Sequence, residues 1–396
     1  MKKDTFSKFN IKKMLLIYIL VILIISLIKI FVSDSSANNY YIFLHSLNHT
    51  LLQQNLYIHY NNEYFDLYKY SPLFPLIMFP FLLFNLKIGA ILWNLFNALM
   101  LFKSITMFKI SERKKVIVLA IILPEIINNA NNFQSNALLA ALFVMCYHLL
   151  EKNKLFLFSA ASSFLLVFKI YGFFVAYNLI FKNVKTIFKF LLYTSFSLIL
   201  LSLCIISISS YDYFISQFLS YFHLLKIETS SYGMSLIAVS NNFLNLNIHS
   251  MYYQVFGLIL FSILIFKKIY LSNFKNNLLE HEKIDLLILA LIFIVIFNQK
   301  TESPTIIIGA LGVSIYLAYY KEYQIFKSWV FWLKMLVTSL SSTDIVPKII
   351  KINYLEPYNV KVIPLIIFFF YFYCVVLNKN YKQIECYNNF KKIKAA

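Results

Sequence analysis

Long apolar runs separated by short clusters of lysine constrain this chain more than any other feature. The first run, residues 14–32, has the roughly 20-residue length that a helix needs to cross the hydrocarbon core of a bilayer. Of all residues, 60% are hydrophobic and 13% are charged, whereas about 25% of the residues of a soluble domain are charged. The runs are continuous and do not alternate with polar residues, so they do not fit the strands of a β-barrel. The sequence therefore predicts an all-α polytopic membrane protein.

Basic residues outnumber acidic ones, and the net charge is +19. The lysines lie in clusters between apolar runs, which is typical of cytoplasmic loops that contact anionic lipid head groups. We therefore expect membrane lipids, and no nucleic acid, as partners. Five lysines precede the first run, and this bias predicts a cytoplasmic N-terminus. No small-residue cleavage site follows the run, so we expect it to remain as a transmembrane helix.

Further apolar runs predict about ten to twelve crossings within a single membrane domain, residues 1–396. They comprise residues 72–86, 88–108, 116–127, 133–150, 155–181, 188–207, 251–266, 284–297, 304–320, 329–340 and 362–377. Pro72, Pro75 and Pro80 fall in the first of these runs, where they would break or bend a helix. A consistent topology then requires one of the two helices in residues 72–108 to be re-entrant or very oblique.

Two long polar intervals interrupt the apolar runs, at residues 33–71 and 209–250. The first interval contains three carboxylates, three histidines and many tyrosines, and a cytoplasmic N-terminus would place it at the outer face. Within it, residues 40–54 contain no proline or glycine and carry their apolar side chains mostly on one helical side. This pattern predicts an amphipathic helix in the membrane interface, with a plain surface loop as the alternative. We expect the two intervals to form a site at the outer face.

Motifs of soluble enzymes are absent from the sequence. A chain with six glycines and no glycine-rich loop is poorly suited to cradling the phosphates of a nucleotide. The four cysteines are scattered and show no metal-ligand spacing. We therefore predict no cofactor and no metal.

Charged residues inside apolar runs are costly and often functional. Lys169 interrupts the segment FLLVFKIYG, where it could extend to the interface or hold the phosphate of a lipid. Glu302 opens a later run, where it could stabilise a helix start or face a cavity. In the first polar interval Asp34, Glu63, Asp66 and the three histidines are all eligible as a general base.

Several segments occur in a distinctive order over about residues 14–378. In chain order they are NLYIHY with DLYKYSPLFPLIMFPF, GAILWNLFNAL, NFQSNALLAAL, LLVFKIYG, NQKTESPT, and SSTDIVPKII with EPYNVKVIPL. This order resembles glycosyltransferase family 87 (DUF2029-like), which comprises polyprenol-phosphate-mannose-type transferases of the GT-C superfamily.

The resemblance implies a GT-C-like helical bundle whose first outer loop forms helices along the membrane, over a cavity. It implies an inverting transfer of a hexose, such as mannose, from a polyprenyl-phosphate donor to a lipid or glycan acceptor of the envelope. The reaction would occur at the outer face of a bacterial inner membrane. The lipid-linked sugar is itself the substrate, so the resemblance implies no separate cofactor.

The resemblance also implies that a carboxylate in the first outer loop deprotonates the acceptor. When Leu56 and Tyr57 are aligned with the Leu-Tyr pair of the family, Asn39 takes the position of the expected aspartate. Asparagine cannot act as a base, so Asp66, inside a matching segment, is the first candidate and Asp34 is the second. The residues predicted to bind substrate are Asn39, His45, Lys69, Gln134, Lys169 and Glu302.

Two alternatives stay open on the sequence. A transporter or flippase of a lipid-linked glycan would have similar hydropathy, although transporters are commonly built from internal repeats and none is visible here. A non-catalytic protein of the same fold would account for Asn39. Only the enzyme should lose sugar transfer when Asp66 or Asp34 is replaced.

Overall fold

The computed structural model describes residues 10–32, 37–227, 232–246, 248–271, 278–343 and 346–379. Most of these residues are helical, and no β-strand lies among them. Within the described ranges, six helices are long and apolar enough to cross a bilayer. The predicted all-α polytopic membrane protein is therefore confirmed. The predicted number of crossings stays a prediction, because five further apolar helices are shorter than a full span.

The α-helices are α1 (Ile11–Val32), α2 (Asn38–Leu51), α3 (Leu86–Thr106), α4 (Glu112–Asn131), α5 (Asn136–Glu151), α6 (Leu155–Phe168), α7 (Val184–Ile208), α8 (Tyr211–Ile227), α9 (Leu236–Leu244), α10 (Ser250–Leu271), α11 (Glu280–Ile296), α12 (Ile306–Tyr320), α13 (Trp329–Trp332), α14 (Lys348–Ile350) and α15 (Ile363–Asn378). The 3₁₀ segments are Phe74–Leu83, Ile170–Phe181, Ser303–Thr305, Ile325–Lys327, Leu340–Ser342 and Val360–Val362. The π-helical segments are Leu333–Ser339 and Lys351–Leu355.

Short polar side chains define several helix starts. Asn85, Ser111 and Asn183 each accept a hydrogen bond from the backbone N–H three residues ahead. These bonds satisfy N–H groups that have no partner inside the first turn of a helix. The proline-rich run between α2 and α3 forms the 3₁₀ segment Phe74–Leu83, since Pro80 has no N–H to donate to an α-helical ladder.

The helix predicted in the first polar interval is present as α2, but it ends at Leu51. The chain leaves the helix there because Gln53 adopts a left-handed conformation, with φ at 55°. Most of the apolar side chains of α2 are buried, and the helix packs on Phe74–Leu83 and α3. It is therefore part of the folded core and not a surface loop.

The run predicted as one span over residues 155–181 is two helices. Helix α6 ends at Phe168, and Lys169 is extended, with φ at −155° and ψ at 136°. The segment Ile170–Phe181 then continues as a 3₁₀ helix. A Cβ atom on Gly172 would lie 2.5 Å from the carbonyl oxygen of Leu165, so only glycine allows the second piece to fold back this closely. Broken helices of this kind are tolerated in membranes where they are buried in protein or line a cavity.

The central pair of the bundle is α11 and α12, which are buried along most of their length. Helix α12 also packs on α4 and α5, and α3 packs on α5. Helix α7 differs, because its apolar residues are largely exposed. In a membrane protein such a helix faces lipid, since hydrocarbon solvates apolar side chains that water would not.

A buried ionic cluster joins α4 to the C-terminal part of the chain. The Glu125 side chain is fully buried, and its carboxylate oxygens lie 4.0 Å from Lys334 Nζ and 3.5 Å from Lys361 Nζ. Lys361 Nζ also donates to the hydroxyl of Ser303 at 2.9 Å. Because Ser303 follows Glu302 directly, this cluster supports the chain segment that carries a predicted site residue.

We expect Glu125→Gln to destabilise the protein by about 3–5 kcal/mol, because it leaves two buried lysines without their shared carboxylate. Thermal unfolding in detergent would show this as a lower melting temperature. Glu356→Gln, at an exposed position, is the matched control and should change little. Adding Lys334→Met to Glu125→Gln should recover part of the loss. Equal melting temperatures for Glu125→Gln and the control would contradict the assigned role of the cluster.

Candidate active site

A cavity of about 700 Å³ lies among α2, α8, α10 and the end of α11. The loop before Phe74–Leu83, the turn before α5 and the break after α6 also contribute to it. Six residues predicted for the site line this one cavity, namely Asn39, Asp66, Lys69, Gln134, Lys169 and Glu302. Much of the remaining wall is apolar or aromatic. A concave, mostly apolar site with a few convergent polar groups is the usual form of a small-molecule site.

Gln134 connects one polar wall of the cavity. It lies on the turn between α4 and α5, where Phe133 adopts φ at 49° and Asn129 Nδ2 donates to the Gln134 carbonyl at 2.8 Å. Gln134 Nε2 donates to Glu302 Oε2 at 3.2 Å, and the Tyr70 hydroxyl donates to Gln134 Oε1 at 3.3 Å. Burial, with a smaller effect of Glu302, raises the pKa of Tyr70, so its hydroxyl stays protonated. This wall offers both donors and acceptors, which suits the hydroxyl groups of a sugar.

The break after α6 brings a cation into the same cavity. Lys169 Nζ lies 3.5 Å from Asn136 Oδ1 and 5.8 Å from the centroid of the Tyr70 ring. An amide oxygen and an aromatic face both stabilise an ammonium group in a poorly solvated place. Lys300, from the loop after α11, lines the cavity too. The cavity can therefore hold an anionic group such as a phosphate.

Asp66 enters the cavity from the loop that follows α2. Its carboxylate lies 3.4 Å from Lys69 Nζ, and its Oδ1 accepts the backbone N–H of Leu67 at 2.7 Å. The loop is tied to α2 because Asn38 Oδ1 accepts the N–H of Phe65 at 2.7 Å. The Asp66 side chain is 57% exposed, so a hydroxyl group that enters the cavity can reach it.

The remaining residues predicted for the site differ in where they lie. Asn39 lines the cavity, and its Nδ2 donates to the carbonyl of Asn132 at 2.8 Å. This bond joins α2 to the turn before Gln134. His45 does not line the cavity and instead contacts Glu63 at 3.1 Å, because it lies on another side of α2. Asp34 lies outside the described residues.

The sequence does not single out Tyr70, which lines the cavity, or Asn136, whose Oδ1 contacts the Lys169 ammonium group. Tyr70 was one of many tyrosines in the first polar interval, and its position beside Gln134 depends on a contact between distant segments. Asn136 follows Gln134 by two residues in the segment NFQSN. A polar residue repeated after one position, at the start of an apolar run, could have indicated that both side chains serve one site.

The second polar interval packs on the first. Leu56 N–H donates to Gln217 Oε1 at 2.8 Å, and the Tyr213 hydroxyl donates to the Gln54 carbonyl at 2.9 Å. Tyr221, also on α8, lines the cavity. The two intervals therefore contribute to the same cavity. Its position at the outer face stays a prediction.

A backbone pairing positions the loop that carries Lys300 and Glu302. The N–H of Gly233 donates to the carbonyl of Gln299 at 2.8 Å, and Met234 N–H donates to the carbonyl of Thr301 at 2.6 Å. A Cβ atom on Gly233 would lie 2.3 Å from the carbonyl oxygen of Thr301. Since that atom belongs to the backbone, it cannot move aside without displacing the loop.

We expect Gly233→Ala to displace this loop and to cost about 1–3 kcal/mol, as overpacking typically does. Hydrogen exchange should become faster in residues 299–302, and the melting temperature should fall. Met234→Ala, which keeps the backbone hydrogen bond, is the control. Unchanged exchange in Gly233→Ala would show that the pairing does not hold the loop.

Comparison with protein families gives a match to the model of glycosyltransferase family 87 over residues 68–272. The matched range covers just over half of the 396 residues and includes Lys69, Gln134 and Lys169. It begins two residues after Asp66. A comparison with curated proteins gives no significant match. With a helical membrane architecture and this family match, the chain belongs to glycosyltransferase family 87.

Proposed function

We propose that this membrane glycosyltransferase moves a mannose-like hexose from a polyprenyl-phosphate donor to a lipid or glycan acceptor of the envelope. The proposal rests on the side chains that line one cavity. Asp66 and Glu302 supply carboxylates there, and Lys169 supplies a cation. A sugar phosphate needs these groups, because a base must accept a proton and a cation must balance the departing phosphate. The cavity would open to the outer face of a bacterial inner membrane, with the N-terminus in the cytoplasm.

In the proposed reaction Asp66 accepts the proton of an acceptor hydroxyl group. The acceptor oxygen then attacks the anomeric carbon from the side opposite the phosphate, and the bond between that carbon and the phosphate oxygen breaks. The electron pair leaves with the lipid phosphate, whose charge Lys169 balances. Attack from the opposite side inverts the configuration of the sugar. Tyr70, Gln134 and Glu302 would hold the sugar hydroxyls, since they form one hydrogen-bonded wall.

An apolar groove supports a lipid-linked donor. It is shallow and open, lies along α10, and is lined by exposed residues such as Ile259, Ile263 and Phe266. Leu258 lines both the groove and the cavity, so an isoprenoid chain in the groove could place its phosphate near Lys169. Burial of each isoprenoid methylene would contribute about 0.8 kcal/mol to donor binding.

Purified protein in liposomes should transfer labelled hexose from polyprenyl phosphate to lipid extracted from the envelope. The same hexose linked to a nucleoside diphosphate should give no product, because we propose that the protein recognises the lipid part of the donor. Product from the nucleotide donor alone would overturn the proposed donor. Movement of the lipid-linked sugar across the bilayer, with no transfer, would instead favour a flippase.

A further inference from the structure

A second cluster of polar side chains lies outside the cavity, between α2 and the loop that follows it. His45 and His49 are four residues apart on α2, so they face the same side one turn apart. Glu63 Oε2 lies 3.1 Å from His45 Nδ1 and 2.8 Å from His49 Nε2. One ligand atom from each of the three side chains lies within 4.8 Å of the other two.

These three groups form the kind of ligand set that holds zinc. Two histidines spaced by four residues on a helix, with one carboxylate, are a known zinc-binding combination. Tetrahedral zinc at about 2.0–2.1 Å from each ligand places the ligand atoms about 3.3 Å apart. The separations from Glu63 Oε2, 2.8 Å and 3.1 Å, are close to that value, and the two histidine nitrogens lie within 4.8 Å of each other.

The protein environment leaves His49 available as a ligand. Its side chain is 2% exposed and its Nε2 faces Glu63 Oε2 at 2.8 Å, while its Nδ1 has no hydrogen-bond partner among the described residues. Tyr60 stacks on the ring with the centroids 3.9 Å apart and so fixes its orientation.

An open side and a nearby hydroxyl group complete the arrangement. The side chains of His45 and Glu63 are 23% and 34% exposed, so a water molecule can reach the fourth ligand position. The Tyr64 hydroxyl is buried and has no hydrogen-bond partner among the described residues. Its ring centroid lies 6.0 Å from that of His45 and 6.2 Å from that of His49.

We infer that His45, His49 and Glu63 form a zinc site that clamps the loop after α2 onto that helix. Glu63 precedes Asp66 by three residues, so a bound ion would also limit the movement of Asp66. The role is structural, since the cluster lies outside the cavity where transfer is proposed. The inference does not depend on the proposed function.

Zinc content tests the site directly. The tag-free protein would be treated with a chelator, incubated with zinc sulfate, passed through a desalting column and analysed by mass spectrometry of the metal. We expect about one zinc per wild-type chain, and near zero for His45→Ala and Glu63→Gln, because two remaining ligands hold zinc weakly. His59→Ala is the matched control, since His59 is exposed on the same loop and should leave the zinc content unchanged.

Two further measurements separate a lost site from a lost fold. Without zinc, His45→Ala and Glu63→Gln should melt at the same temperature as the zinc-free wild type. Zinc should slow hydrogen exchange in residues 60–66 of the wild type and leave Glu63→Gln unaffected. Equal zinc in Glu63→Gln and the wild type, or no uptake by the zinc-free wild type, would overturn the inference.

Discussion

Asp66→Asn should lower sugar transfer about a thousandfold, within the range that general acid–base catalysis typically contributes. Asparagine keeps the size of the side chain but cannot accept the proton of the acceptor hydroxyl. Donor binding should change little, because the role proposed for Asp66 is to accept a proton from the acceptor. Single-turnover transfer from labelled polyprenyl-phosphate hexose would measure the chemical step, and binding of the same donor would be measured separately.

Asp212→Asn is the control for this change. Asp212 is an exposed aspartate in the first turn of α8 and is not among the residues that line the cavity. Normal transfer by Asp66→Asn would refute the assignment of the base. If Glu302→Gln then lost transfer, the base would be Glu302, the other cavity carboxylate. Loss in Asp34→Asn alone would instead assign the role to the second candidate from the sequence.

Lys169→Met should weaken donor binding roughly 10- to 100-fold, because a hydrogen bond to a charged group is worth about 1.5–3 kcal/mol. Methionine keeps the length and the apolar part of the side chain but removes the charge that is proposed to face the phosphate. The rate of transfer should fall as well, since negative charge grows on the phosphate oxygen as the bond breaks. Donor titration and single-turnover rates would separate the two effects.

Lys152→Met is the matched control, because Lys152 is exposed in the loop between α5 and α6. Increasing salt should weaken donor binding in the wild type only modestly, since the contact is poorly accessible to counterions. If Lys169→Met bound donor as tightly as the control, the lysine would serve the fold, and the phosphate would be held elsewhere.

The membrane class, and several of the residues that line the cavity, could be predicted from the sequence. An apolar run of spanning length forms a helix in lipid, because a helix makes all of its backbone hydrogen bonds within the same segment. The cost of a charge in an apolar run also drew attention to Lys169 and Glu302. Those two residues are far apart in the chain, yet both line one cavity.

The remaining features depend on contacts made in the folded chain, and a local sequence pattern does not show such contacts. The break at Lys169 requires the close approach of Gly172 to Leu165, where no Cβ atom would fit, whereas hydropathy shows one continuous run. The sequence predicts that His45 binds substrate, because it places the first polar interval in a single site. The interval is divided in the structure, since α2 presents Asn39 to the cavity and His45 to Glu63.

We propose that the cavity between α2 and the end of α11 holds the head group of a lipid-linked sugar. Photo-crosslinking with a polyprenyl-phosphate hexose that carries a diazirine on the sugar tests this claim without knowledge of the acceptor. Peptide mapping should find the label in residues 66–70, 134–136 or 298–302, and unlabelled donor should compete it away. Label confined to other segments, or label that donor does not compete away, would contradict the claim.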